Sequence, residues 1–273
     1  MTMSYDKFKE VKVEKQEGVL TVILGQGPDV NRLHELNEIW ESIPDDPEVR
    51  AVILTADGPD FTEVHPAGFS HHNTRKQPPH PLQNLELAGR TIHEGNAYHM
   101  IVIKKLLEVP QPIIAAVQGR CQGLGANIAL HCDIVIAGDD SQISDAHIRS
   151  MVPGDGSCVI WPLLIGPNRA KQYLLTGDTV SAIEAERIGL VNRVVPVAEL
   201  RDTAWALAKR LSNDYPPLAI RFTKHAINRV IAHQMDLVWE LADAYQVFST
   251  LTEDNQEAKR ARAENRPPRF TGR

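Results

Sequence analysis

The stretch from Ile113 to Gly166 constrains the fold of this chain more than any other part of it. Ile113–Val117 is a short apolar run behind a Pro110/Pro112 pair, the signature of a strand buried on both faces. Gly119–Gly125 reads as a glycine-bearing turn, and Ala126–His131 begins a short helix. Asp133–Ala137 is a second buried strand, and Gln142–Ser144 extends the sheet. Two parallel strands joined by a turn and a helix need a crossover, so the local order already implies an α/β core.

The flanking segments continue the pattern. Val11–Lys15 and Gly18–Leu24 read as two strands joined by a tight turn, because VLTVIL is β-branched and apolar. Leu33, Leu36, Ile39 and Trp40 recur at helical spacing and predict a helix over Asn31–Ile43. Ala51–Thr55 is a further buried strand. Residues 56–81 are rich in Gly, Pro and His and read as a long functional loop. Asn84–Glu108 reads as a long helix stopped by the two prolines. Val152–Gly156 is a turn, and Pro162–Ile165 and Asn168–Leu175 are short helices. Ser181 is the expected N-cap of a helix with Glu184 as its capping-box partner. From Ala198 to about Asn265 the pattern is helical. The expected organisation is therefore a core over residues 1–197 and a helical region over 198–273. The basic tail after Ala258 is expected to fray or to wrap on a neighbour.

Composition excludes several classes. A formal charge of −6 argues against a nucleic-acid surface. No apolar run approaches the ~20 residues of a membrane span. Three cysteines show no metal-type C-x-x-C spacing and fit a reducing, cytoplasmic setting. The polar start MTMSYDKFKE is neither a secretory signal nor an anchor.

Several blocks in one order resemble the crotonase (enoyl-CoA hydratase/isomerase) superfamily: AVILTADGPDF, IIAAVQG, GLGANIALHCDIVIA, MVPGDGSCVIWPLLIG and YLLTGDTVSAIEAERIGLVNRVVP. They span roughly residues 10 to 260. The resemblance implies a spiral core of repeated ββα units, a C-terminal helical trimerisation region, and a homotrimer or hexamer. VPGDG with the VIWP and LLTG blocks looks most like the oxocamphor hydrolase branch, whose members hydrolyse a carbon–carbon bond of a cyclic β-diketone without coenzyme A.

The resemblance also implies an enolate held by two backbone N–H groups, here the amides of His65 and Leu124. Donors aimed at developing charge in a dry pocket are each worth roughly 3 kcal/mol, and Leu124 opens a helix, where the dipole favours an anion. Taken alone, the glycine turn reads as a tight strand-to-helix connection. Hydratases of the superfamily hold water with two glutamates; those positions read Asn127 and His147 here. The lysine of the CoA-binding stretch is replaced by HPAG. In their place stand His147 and Asp155, which match the histidine and aspartate of the β-diketone branch with one residue fewer between them. A neutral imidazole takes a proton from water, and a carboxylate on its other nitrogen fixes the tautomer. The bland alternatives are a satisfied core histidine and a turn-forming aspartate. His34 aligns with a pocket histidine of that branch or is a solvated helix residue. Phe69, His71 and His72 line the pocket or a polar loop face. Asp145 is a backup carboxylate, and Trp161 and Met151 pack the core.

Three functions follow as expectations. The first is retro-Claisen hydrolysis of a β-diketone with no cofactor and no metal. The second is hydratase or isomerase chemistry on a coenzyme A thioester. The third is a non-catalytic binding module.

Overall fold

The computed structural model describes residues 4–25, 30–62 and 97–273. Strands β1 (Val11–Gln16), β2 (Val19–Leu24), β3 (Ala51–Ala56), β4 (Ile113–Val117), β6 (Ile134–Gly138) and β9 (Arg193–Val195) form a six-stranded sheet in the order β1-β2-β3-β4-β6-β9. Only the β1–β2 pair is antiparallel; the other pairs run parallel. A three-stranded sheet holds β5 (Arg120–Gln122), β7 (Gln142–Ser144) and β8 (Val180–Ser181). The chain therefore winds from the large sheet to the small one and back: β4 to β5, then β6 to β7. The expected α/β fold with a helical C-terminal region is present.

The bend between β4 and β5 explains one glycine. Gly119 has φ +53°, and a Cβ there would lie 2.1 Å from the Pro59 carbonyl oxygen. No side chain fits, so the sheets can approach only around glycine. The expected Gly119–Gly125 turn thus contains β5, and the following helix starts at Gly123, not Ala126. A three-residue strand whose partner is β7 leaves no local signal, because the pairing is made about twenty residues away.

Helices are α1 (Val30–Ser42), α2 (Ala97–Glu108), α3 (Gly123–Leu130), α4 (Ser157–Thr176), α5 (Ala182–Ile188), α6 (Leu200–Asn213), α7 (Pro217–Thr250) and α8 (Glu253–Ala263). The expected helix from Asn84 falls within the described residues only over Ala97–Glu108. Helix α4 begins five residues before the expected Pro162 and breaks at Gly166, with φ 77° and ψ 157°. The N-cap reading of Ser181 holds: its side chain accepts from the Glu184 N–H at 3.4 Å.

Alternate residues of the parallel strands serve two cores. Ala51, Ile53, Ile114, Ala116 and Ile136 face one way, and α6 covers them with Leu200, Ala204 and Ala208. Val52, Leu54, Ile113, Ala115 and Val117 face the larger core with Trp40, Trp161 and Trp239. At roughly 25 cal/mol per Å² of buried apolar surface, these two faces dominate the stability of the sheet. Trp161 is fully buried, as expected of a core residue.

Helix α7 is bolted to the start of β4. Buried Lys224 donates to the Gln111 carbonyl at 2.9 Å and to Asp133 at 2.7 Å, while Asp133 also accepts the Ile113 N–H at 2.7 Å. The basic tail folds back on its own last helix. Asp254 accepts the N–H groups of Thr271 and Gly272, and Glu257 holds Arg266 and the Arg269 N–H. Arg266 and Arg273 thus meet Glu257 and Glu253 of that last helix.

Removing the Lys224 ammonium strands the Asp133 carboxylate against the strand end. Lys224→Met is therefore expected to cost about 3 kcal/mol, read as a lower denaturant midpoint with an unchanged slope. Wild-type stability in that variant would remove the clamp from the account.

Candidate active site

The site lies where α3, the end of β7 and the start of α4 meet. Gln122 is extended, then Gly123 turns with φ +55° into α3. The N–H groups of a helix's first turn have no intrahelical acceptor, so this end offers donors. Leu124 is buried in that turn. A Cβ at Gly123 would sit 3.1 Å from Cε1 of His147, so the His147 ring lies against the turn itself.

The described chain before His65 runs along the same edge. Phe61 and Thr62 donate their N–H groups to Gln118 and Arg120, and Thr62 Oγ1 accepts the Gln122 N–H at 2.9 Å. A Cβ at Gly125 would lie 1.7 Å from Thr62 Cγ2, which is why that position is glycine. His65, Phe69, His71 and His72 lie outside the described residues.

His147 opens a 3-10 turn, His147–Arg149, directly after β7. Its Nδ1 lies 2.6 Å from Asp145 Oδ1, which also accepts the His147 backbone N–H at 3.0 Å. This is an Asx turn, in which an aspartate caps the amide two residues on. Asp155 is farther from the ring, with Oδ1 3.7 Å from Nδ1. The expected His147–Asp155 pair is thus brought together, but the short contact to the ring belongs to Asp145, first read as a backup.

A chain of polar side chains links the two carboxylates. Ser157 Oγ contacts Asp145 Oδ2 and lies 2.8 Å from Asn127 Oδ1. Asn127 Nδ2 lies 3.3 Å from Asp155 Oδ1. Asp145, Asp155, Asn127 and Ser157 are all buried, while the His147 side chain keeps 12% of its exposure. Its Nε2 has no hydrogen-bond partner among the described residues. Sequence reasoning missed Ser157; its place at the first residue of a helix after a glycine turn was the available signal.

The electrostatics follow from that crowding. Burial pushes His147 down, but the Asp155 and Asp145 carboxylates outweigh it and raise the ring to about 10. Burial raises Asp155 to about 6, with His147 opposing and Asp145 reinforcing. Burial also pushes Asp145 up, yet the charge and hydrogen bond of His147 hold it below the ordinary carboxylate value. An imidazole at its unperturbed value is therefore not what the site contains. Close groups titrate together, so the steps near 10 and near 6 belong to the cluster of His147, Asp155 and Asp145.

Neighbours brace the loop that carries Asp155. The Val152 N–H donates to Ser249 Oγ at 3.1 Å, and Asn255 Nδ2 donates to the Ser150 carbonyl at 2.8 Å. A Cβ at Gly154 would meet the Ala242 carbonyl oxygen at 2.7 Å, so α7 presses on the loop backbone. Met151 Sδ touches Gln246 Nε2 at 3.8 Å and packs beneath. His131, fully buried, is lowered to about 4 by desolvation, and its Nδ1 meets the Asn127 carbonyl at 2.7 Å. His34 sits half-buried on α1, which packs on α2 and β1 and not on the elements that carry His147.

Asp145, His147 and Asp155 are the one grouping among the described residues whose ligand-type atoms lie within 4.8 Å of one another. With Nδ1 and Asp145 Oδ1 engaged with each other, the set is a hydrogen-bonded relay before it is a cation site.

The family model for enoyl-CoA hydratase/isomerase matches residues 15–273. The chain belongs to the enoyl-CoA hydratase/isomerase family. Among its relatives is a probable enoyl-CoA hydratase of Mycobacterium bovis, 31% identical over 97% of this chain and 99% of that protein. Among solved structures, an enoyl-CoA hydratase/isomerase from Pseudoalteromonas atlantica has a TM-score of 0.81 at 23% identity, covering 96% of this chain and 100% of that one. A β-diketone hydrolase from the cyanobacterium Anabaena has a TM-score of 0.76 at 24% identity, covering 90% of this chain and 95% of that one. At those identities the two structures share the fold. Within this family frame, Asn127 and His147 occupy the positions that the resemblance assigns to the hydratase glutamates, and Ser157 ties Asn127 into the network of His147.

Two predictions come from the geometry. Gly123→Ala places a methyl against the His147 ring at an unfavourable φ. It is expected to destabilise by about 1–2 kcal/mol and to reduce turnover more than stability explains, read by melting and steady-state rates together. The pH dependence has a fixed sign. His147 is raised, so its contribution is complete below about 6.5 and is lost as pH rises through about 10. Asp155 is a raised acid, so its contribution is present below 3.8 and lost as pH rises through about 6. Melting temperature should fall between pH 7 and 10 in the wild type and fall less in His147→Gln; equal slopes would assign the decline elsewhere.

Proposed function

We propose that this family member stabilises an enolate at the α3 turn while His147 moves the proton, and that its substrate is a small 1,3-dicarbonyl compound whose carbon–carbon bond is hydrolysed. The observation that carries the reading is the His147 ring, pinned by Asp145 against Gly123, with no partner on Nε2 among the described residues. Carboxylates that could hold water in a hydratase are absent from Asn127 and His147. In the reading, Nε2 takes a proton from water as the water oxygen bonds to one carbonyl carbon. The carbon–carbon bond breaks and its electron pair becomes the enolate, held by the amides of Leu124 and His65. The proton on Nε2 then passes to the enolate carbon, giving a keto acid. No cofactor enters. The β-diketone hydrolase of Anabaena, whose structure holds (S)-3-oxocyclohexyl acetic acid, shares the fold.

A second reading has specific support. Relatives at about thirty per cent identity bear acyl-CoA enzyme names, among them a short-chain-enoyl-CoA hydratase of Clostridium acetobutylicum that is 31% identical and a 1,2-epoxyphenylacetyl-CoA isomerase of Escherichia coli that is 28% identical. They weigh for an acyl-CoA thioester more heavily than a fold neighbour weighs for a diketone. Under that reading the same turn holds the thioester enolate and His147 delivers or removes the α proton. Offering a cyclic 1,3-diketone and a short enoyl-CoA to the same preparation decides between them. The first reading expects loss of diketone absorbance, with His147→Ala reduced about 10³-fold, and no calorimetric binding of acyl-CoA. Turnover of the thioester alone would replace it with the second, and neither turnover nor binding would favour a non-catalytic module.

We further propose a homotrimer or a pair of trimers in the cytoplasm. Leu237, Leu241, Tyr245 and Phe248 leave one side of α7 apolar and exposed, together with Phe222 and Val230. No described helix is long and apolar enough to cross a membrane. Sedimentation velocity is expected to give three or six copies; a monomer at micromolar concentration would reject the assembly.

A further inference from the structure

The polar chain at the site contains more acceptors than donors unless one more proton is present. Ser157 has one hydroxyl proton and two oxygen neighbours, Asp145 Oδ2 and Asn127 Oδ1. The Asp145 contact is the shorter and the charged one, so the hydroxyl proton belongs there. Asp145 is then complete: Oδ2 takes Ser157, and Oδ1 takes the Nδ1–H and backbone N–H of His147. Ser157 Oγ is then free to accept a hydrogen, and among the described residues the group placed to give it is the amide of Asn127. The two ends of an asparagine amide are interchangeable in outline, so its assignment follows the hydrogen-bond pattern. Turning it puts Nδ2 on Ser157 and leaves Oδ1 facing Asp155 Oδ1, at the 3.3 Å between that end of the amide and the carboxylate. Two acceptor oxygens face each other there unless Asp155 carries a proton.

We propose that Asp155 stores the proton it shares with His147, while Asp145 alone orients the ring. The ring is then neutral, with Nδ1–H on Asp145 and a bare Nε2. Every member of the chain from Asp155 through Asn127 and Ser157 to Asp145 has its partner, and one buried negative charge remains where there would be two and a cation. The other groups facing Asp155 agree in sense. Asp145 and, from α7, Asp243 both favour its protonated form, its own N–H and His147 oppose it, and Cys158 beside it is kept as a thiol by burial. Between the cluster's steps near 10 and near 6 one exchangeable proton remains among these groups, and its place is the question.

The inference rests on the reading that His147 Nε2 does acid–base work, and it holds for either substrate. Asp155 keeps its proton through the cycle; water's proton enters and leaves by Nε2. The role of Asp155 is to keep the base free, and that of Asp145 is to aim it.

The test needs no substrate, so it can fail while the substrate reading stands, and the reverse. Protein labelled with ¹⁵N-histidine is examined without ligand between pH 6.5 and 8, and the His147 signals are assigned by their absence in His147→Gln. The expected result is one protonated and one bare ring nitrogen in the wild type. A ring with both nitrogens protonated would overturn the proposal. Infrared spectra in the same range should show a carboxylic-acid band that disappears in Asp155→Asn; a band that survives the substitution also overturns it. Asp155→Asn replaces the acid by an amide that can donate to Asn127 in the same way. It should therefore leave the His147 nitrogen pattern unchanged, whereas Asp145→Asn should abolish the bonded Nδ1 proton. The opposite pattern in the two variants would exchange their roles and refute the assignment.

Discussion

A buried aspartate bonded to one face of a histidine is the contact on which the rest of this site depends. Asp145 Oδ1 holds both the ring and the backbone of the same residue, so the ring cannot rotate without breaking two hydrogen bonds. Ser157 holds the other oxygen, which removes the remaining freedom of the carboxylate. A group fixed in this way needs no reorganisation when a charge develops beside it, which is the condition for large electrostatic effects in a dry pocket. The second carboxylate, Asp155, is near enough to tune the ring and too far to aim it.

The fold provides this contact by winding. Each passage from the large sheet to the small one turns the chain sharply, at Gly119 before β5 and after Gly138 before β7. Parallel pairing of β5 with β7 then sets the α3 turn and the start of the His147 turn side by side. The helical region is part of the same device. Helix α7 is anchored to β4 by Lys224, and its far end presses on the loop that carries Asp155. Its inner face is thus in contact with the site while its outer face is apolar and bare. Assembly through that outer face would stiffen the loop from behind.

Family membership and site chemistry speak to different questions. Matching over residues 15–273 establishes the family. It does not choose the substrate, because a fold hosts many reactions and the side chains around the donors decide among them. Here those side chains are an amide at Asn127 and an imidazole at His147, neither of which can hold water as a pair of glutamates would. A histidine between two acids is suited to moving a proton to and from carbon or water. That demand is common to a diketone and a thioester, and the relatives and the residues incline in different directions.

Much was legible in the chain itself. The strand Ile113–Val117 was bounded correctly, because a parallel strand buried on both faces is a continuous apolar run, here set off by Pro112 and Gly119. The Ser181 cap was legible because its donor lies three residues away. His147 and Asp155 were singled out through the family resemblance, since an aspartate before a glycine is by itself a common turn former. What the sequence could not give were the strand β5, the start of α4 at Ser157 and the docking of the tail on α8, all of which depend on partners distant along the chain. The choice of Asp145 over Asp155 as the partner of His147 also belongs to tertiary structure. Both acids are close in sequence, and only the turn after β7 brings one oxygen to 2.6 Å and leaves the other at 3.7 Å. Residue types fix which groups can exchange a proton; distances of an ångström decide which of them does, because a hydrogen bond is lost over that interval.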